Sequence, residues 1–259
     1  MLDIKPIASF GDNYIWMLGN IGEKRVAVVD PGDGAQVLAL LQERELELAA
    51  ILLTHHHNDH TGGVMQLLAQ SPDLPVYGPK SEKISGINRP VGEGDVVEID
   101  GIDARFKVLD TPGHTAGHIA YYGEGVLFPG DVLFSVGCGR IFDGTYQQMA
   151  DSLKRLAALP EDTLLYSAHE YTLDNIGFAK WVEPENSAID SWEKESRSRR
   201  ASGEATLPNR LGNELAINPF LRLHVAEVIK AAENFTGCSS LNEVEVFTAI
   251  RQWKDQKYD

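Results

Sequence analysis

Ala50-Ile51-Leu52-Leu53-Thr54-His55-His56-His57-Asn58-Asp59-His60 runs an apolar stretch of strand length straight into four histidines and an aspartate. A short, branched-rich apolar run of this kind reads as a buried strand. The polar cluster then falls at the carboxyl end of that strand, where open α/β sheets place their sites. In an extended turn His55 and His57 point the same way, while Asp59 and His60 follow closely enough to serve a neighbouring position. One loop therefore offers two ligand sets. The competing reading is a solvated polar loop that takes up metal adventitiously, and the residues downstream weigh against it.

Outward from this run the same arrangement recurs. His114 lies in Thr111-Pro112-Gly113-His114-Thr115 just after the apolar run 106–109, Asp131 follows the run 126–128, and His169 follows 163–168. Of the eight histidines only His224 falls outside such strand-end loops. Further strand-like runs occupy 14–18, 25–30, 50–54 and 118–122, and helical spacing of apolar residues predicts helices over 35–48 and 146–159. The pattern is α/β around an open sheet core. After His169-Glu170-Tyr171 the β-branched runs stop, which predicts a boundary near residue 172 and a helical segment over 173–259. There Leu241, Val244, Phe247, Ile250 and Trp253 form one stripe, with Arg251 and Lys254 side by side on an adjoining face. The run Arg197-Ser198-Arg199-Arg200 reads as a solvated helix face.

Composition narrows the function classes. At 259 residues the chain suits one full-sized domain with a smaller appendage, and 43% hydrophobic with 24% charged residues is ordinary for a globular protein. A net charge of −15 disfavours general nucleic-acid binding, which relies on clustered Lys and Arg. No apolar stretch is long enough for a bilayer, and residues 1–6 lack a secretory pattern. Two cysteines, Cys138 and Cys238, make no disulfide framework and suit a reducing compartment, so the expected location is cytoplasmic. The expected state is a monomer. Cys138 reads as a small buried residue, since no separate histidine remains to activate it as a nucleophile. No Gly-x-Ser-x-Gly elbow is present.

Imidazole and carboxylate donors together suit borderline divalent metals, zinc first and iron or manganese also, and their number exceeds a closed four-ligand site. Two ions per chain are implied. One allocation gives His55, His57 and His114 to the first, Asp59, His60 and His169 to the second, and Asp131 to both. Each ion keeps an open position for a shared water, which the metals would deliver as hydroxide near neutral pH. His56 points away from this set, Asp30 is placed to orient a ligand histidine, and His118 is either a donor to a ligand or a hydrogen-bonded core residue.

This constellation resembles the metallo-β-lactamase superfamily, a four-layered αββα sandwich, over residues 1–172. Asp12-Asn13-Tyr14, Asp30-Pro31-Gly32, Cys138-Gly139-Arg140, His169-Glu170-Tyr171-Thr172, Asn218-Pro219-Phe220 and Arg251 with Lys254-Asp255-Gln256 are similar to one branch, the glyoxalase II or hydroxyacylglutathione hydrolase family. The resemblance implies a metal-binding catalytic domain over 1–172 and a helical glutathione-binding domain over 173–259. It implies hydrolysis of S-D-lactoylglutathione and related 2-hydroxyacyl thioesters, the second step of methylglyoxal detoxification. Asp59 and Asp131 would serve the chemistry as well as the metals. Glutathione would meet Arg140, Phe142, Tyr171, Arg251 and Lys254; some relatives carry lysine and tyrosine where this chain has Arg140 and Phe142. Three cations would give an acidic chain the local positive pocket that an anionic thioester needs. The alternative is a glutathione-persulfide dioxygenase with a single iron, which would not require the second set Asp59, His60 and His169.

Overall fold

Short apolar runs punctuated by Gly, Asp and Asn turns become strands, and the computed structural model, which describes residues 2–258, groups them into two units. The first takes in the chain to Thr111 with Gly117–Gly130 and Tyr166–His169. The second takes in Pro112–Ala116, Asp131–Leu165 and the chain from Glu170.

The first unit contains β1 (Leu2–Ser9), β2 (Asn13–Asn20), β3 (Arg25–Val29), α1 (Gly34–Glu43), β4 (Glu47–Leu52), α2 (Asn58–Thr61), α3 (Val64–Gln70), β5 (Val76–Pro79), β6 (Arg89–Val91), β7 (Val96–Ile99), β8 (Ile102–Asp110), β9 (Ile119–Gly123) and β10 (Val126–Phe128). Strands β1 to β6 lie in chain order in one sheet, antiparallel through β3 and parallel from there on. Strands β7 to β10 form an antiparallel meander in another. The unbroken apolar run of β2 is explained by burial on both faces. Ile15 and Met17 pack with Val28, Val37, Leu41, Val64 and Leu67 under α1 and α3. From the other face Trp16 meets Tyr166 edge-on at 4.9 Å, Tyr166 meets Phe128 at 5.5 Å, and Phe128 meets Phe106 edge-on at 5.8 Å. In β8 burial alternates residue by residue from Ile102 to Val108, so that meander strand keeps one face toward solvent.

The helix expected over 35–48 ends at Glu43 instead. Glu45 turns left-handed with φ 52°, and the residues after Leu46 enter β4. Leu46 and Leu48 satisfy helical and strand spacing equally, so periodicity alone runs past the break.

The second unit contains β11 (Leu133–Phe134), β12 (Gly137–Cys138), α4 (Tyr146–Ala157), β13 (Leu164–Leu165), α5 (Thr172–Val182), α6 (Ser187–Ala201), β14 (Asn209–Arg210), α7 (Leu211–Ile217), α8 (Ala226–Thr236) and α9 (Glu243–Trp253), followed by a turn of π-helix over Lys254–Tyr258. Reciprocal capping boxes, Thr145 with Gln148 and Asn242 with Glu245, start α4 and α9. Strand β14 pairs antiparallel with β13, so the segment after residue 172 is not wholly helical. Two residues are too short a run to leave a period in the sequence. The Arg197–Arg200 stretch also departs from a purely solvated face. Arg199 donates to the Thr206 carbonyl at 3.1 Å and Arg200 to that of Glu204 at 3.1 Å, while Arg197 and Arg199 also pair with their helix neighbours Glu193 and Glu195. Among the described residues no helix is long and apolar enough to cross a membrane.

Candidate metal centre

The loop after β4 is pinned to the end of β3. Asp30, left-handed at φ 52°, accepts the Thr54 amide on Oδ1 at 2.8 Å and the Thr54 hydroxyl on Oδ2 at 2.8 Å. Gly32 completes the fit: a Cβ there would stand 1.9 Å from the Asp59 carbonyl oxygen, so only glycine lets the α2 turn approach the Asp30 loop this closely.

With the turn fixed, Asp59, His60 and His169 converge. Asp59 Oδ2 lies 3.3 Å from His60 Nε2 and 3.5 Å from His169 Nε2. Three donors bonded tetrahedrally at zinc-like lengths would stand about 3.3–3.5 Å apart, so this set fits a divalent ion. Of the other predicted set, His55 and His57 lie together after β4, their ring centroids 4.6 Å apart. In it His114 Nε2 stands 3.5 Å from Asp131 Oδ2.

The outer ring nitrogens give a second test of fit. His60 Nδ1 is 3.1 Å from Asp30 Oδ2, His169 Nδ1 2.9 Å from Asp12 Oδ1, and His114 Nδ1 2.7 Å from the Arg140 carbonyl. His55 Nδ1 lies 3.0 Å from Thr54 Oγ1, whose own proton goes to Asp30. Each partner acts as an acceptor, so each Nδ1 carries the proton and each Nε2 presents its lone pair. That tautomer is the one a metal requires. Asp30 thereby serves two histidines at once, His60 directly and His55 through Thr54.

The neighbouring histidines fall into place. His56 turns aside to Glu82 at 3.0 Å. His118 is buried, bonded through Nδ1 to Thr111 Oγ1 at 3.0 Å, with its ring stacked on His55 at 4.9 Å; it is the core residue of the two readings. The roles of Asp12 and Asn13 are not derivable from metal-ligand spacing. Asn13 Nδ2 donates to Asp59 Oδ2 at 2.9 Å. Their sequence signal is the polar pair placed immediately before the buried β2 run.

The residues expected to meet glutathione take up different surroundings. Arg140 and Phe142 are exposed, and the segment between them grips His114: besides the Arg140 carbonyl bond, the Phe142 amide donates to the His114 carbonyl at 3.0 Å, and the two rings meet edge-on at 5.2 Å. Tyr171 precedes α5 with its ring edge-on to Phe134 at 5.3 Å. Arg251 is only 1% exposed, donating to the Cys138 carbonyl at 3.0 Å and to Asp255 Oδ1 at 2.6 Å from Nη2. Lys254 donates to Asn175 Oδ1 at 2.8 Å. The apolar stripe thus does not leave Arg251 on a free face. Asp255 also lies 3.8 Å from the Arg140 guanidinium, so one carboxylate serves both arginines. Burial pushes the Cys138 thiol up to about 11, opposed by the Arg251 charge, which leaves it a packing residue and no nucleophile.

Residues 9–169 match the model of the metallo-beta-lactamase superfamily, and residues 170–257 match that of the hydroxyacylglutathione hydrolase C-terminus. A hydroxyacylglutathione hydrolase from Vibrio cholerae is 49% identical over 99% of this chain and 100% of its own length. One from Alkalilimnicola ehrlichii is 50% identical with the same coverage. Among solved structures, TTHA1623 in a di-iron-bound form superposes with a TM-score of 0.58 at 27% identity, covering 85% of this chain and 100% of its own.

Proposed function

The chain belongs to the hydroxyacylglutathione hydrolase family of the metallo-beta-lactamase superfamily, and from that premise we propose that it cleaves S-D-lactoylglutathione and related 2-hydroxyacylglutathione thioesters to the hydroxy acid and glutathione. The observation that carries the substrate is the match of residues 170–257, since the histidine run alone is common to other hydrolytic chemistries.

His55, His57 and His114 would hold one divalent ion, Asp59, His60 and His169 the other, and Asp131 both. Zinc is the metal proposed, with iron or manganese accommodated by the more oxygen-rich second set; a di-iron relative supports that breadth. When bound, such ions lower the pKa of a water toward about 7 and polarise the scissile carbonyl. The chain supplies the rest. Asp59, steadied by Asn13, orients the attacking water. Arg140, exposed at its tip, draws in a glutathione carboxylate, with Phe142 and Tyr171 walling the peptide and Arg251 and Lys254 holding the positive field behind them. A leaving thiol with a pKa of about 8.5 needs no strong acid from the protein. The complete set Asp59, His60 and His169 favours this reading over a single-iron dioxygenase. A cytoplasmic monomer, with 1–172 as the metal-binding part and 173–259 as the glutathione-binding part, completes the proposal.

The test is release of glutathione from lactoylglutathione by purified protein of assayed metal content, before and after chelation. Cleavage that is lost on chelation and restored by added zinc is the expected result. Folded, metal-loaded protein that leaves the thioester intact would sink the reading.

A further inference from the structure

We propose that Phe10 is a specificity-determining residue that contacts the acyl group of the thioester, an inference that rests on the thioesterase reading above. The β1–β2 hairpin closes at the Ser9–Asn13 pair and leaves Phe10, Gly11 and Asp12 as its loop. The end of that loop is fastened to the metal-site residues, Asp12 on His169 and Asn13 on Asp59. Phe10 is therefore held beside the same cluster.

Its conformation is costly in two ways. The residue is 61% exposed to water, and its backbone is left-handed with φ 55°. A bulky residue rarely adopts that dihedral, and loops of this length usually place glycine there. Here a glycine lies next door at position 11, yet the phenylalanine occupies the left-handed position. Neither the exposure nor the dihedral serves the core, and a local outlier of this kind, kept beside a reactive cluster, points to use by a ligand.

The direction of the ring indicates which ligand. The Cβ that Gly32 lacks would lie 2.9 Å from Phe10 Cε2 and 1.9 Å from the Asp59 carbonyl oxygen, so the ring edge rests against the turn that presents Asp59. An acyl group brought to the Asp59 turn therefore has the Phe10 ring as an apolar neighbour. Glutathione is charged and calls for cations. The acyl chain is the part of the substrate that varies in apolar size, and a ring can grade it by contact area.

The experiment compares kcat/KM for glycoloyl-, lactoyl- and mandeloylglutathione in the wild type, Phe10→Ala and Phe10→Gly, together with inhibition by free glutathione. Both variants should reduce the mandeloyl-to-glycoloyl ratio by about tenfold, the size of an apolar contact. The inhibition constant for glutathione should stay the same. Phe10→Gly should keep the wild-type melting temperature, because glycine suits the dihedral, which separates loss of contact from loss of fold. An equal fall for all three thioesters, or an unchanged ratio, overturns the assignment while the thioesterase reading stands. Wild-type protein inert toward all three overturns both.

Discussion

The Nδ1 of His114 lies 2.7 Å from the main-chain carbonyl of Arg140, so a candidate metal ligand leans on the backbone of a candidate substrate residue and not on its side chain. Arg140→Ala should accordingly leave metal content unchanged while raising KM for glutathione thioesters about 10-fold, the range of one lost charge-assisted contact. Gly139→Ala should do the reverse. A Cβ there would stand 2.0 Å from the Asp131 carbonyl and 2.9 Å from His114 Nδ1, with backbone on one side that cannot yield. Metal analysis beside steady-state kinetics separates the two, and metal loss in Arg140→Ala would break the argument.

Asp30 is the common support of both donor sets. Its Oδ2 takes the Thr54 hydroxyl at 2.8 Å and His60 Nδ1 at 3.1 Å. Asp30→Asn can turn an amide N–H toward those two donors and so loosens His55 and His60 together. The expected loss is about 10–100-fold in metal affinity, the usual weight of such outer partners. Competition with a chromophoric chelator measures it for each equivalent of metal. Weakening of one equivalent alone would mean that Thr54 does not transmit the effect.

The legible parts of this molecule are those whose function fixes residue type and spacing together. His55, His57, Asp59 and His60 announce themselves because metal donors are few and a strand end concentrates them. Asp12 and Asn13 are silent on that criterion, since holding a histidine or a carboxylate in place is work many polar residues do. The β2 and β8 strands are readable from burial on two faces or one, whereas β11, β12 and β14 span two residues each and leave no period. Arg251 shows the limit most clearly. Helical spacing places it on an adjoining face, and only the packing of Cys138 and Asp255 around it reveals that it is buried.

Cys138 and Cys238 should differ sharply toward alkylation. Cys138 is buried with its thiol pushed to about 11, and Cys238 is exposed. The thiolate is the reactive form. Iodoacetamide at pH 8 should therefore label one thiol per native chain, mapped by peptide mass to Cys238, and both after denaturation. Labelled protein should retain full thioesterase activity; inactivation tracking modification of Cys138 would restore a nucleophilic role.

Glu214 is the buried carboxylate on which the segment after Asp131 rests. It accepts the Val136 amide at 2.7 Å, the Ser135 hydroxyl at 2.8 Å and the Asn218 amide at 3.1 Å, with Asn209 donating as well. Asn218 in turn donates to the carbonyls of Phe134 and Gly137. Glu214→Ala would leave these donors buried and unmatched, a loss of about 3 kcal/mol, which lowers Tm by roughly 6–12 °C in a chain of this size. Burial pushes the Glu214 carboxyl above its usual 4.5, only partly offset by the donors. With the folded value raised, the protonated carboxyl is the form that folding favours. Its contribution is therefore complete below about 4.5 and fades as pH rises through the folded value. Glu214→Gln cannot ionise, so the stability of wild type relative to this variant should be greatest on the acid side and shrink above that window. Denaturant melts across pH read the difference, and a difference that grows with pH would show that the donors outweigh burial.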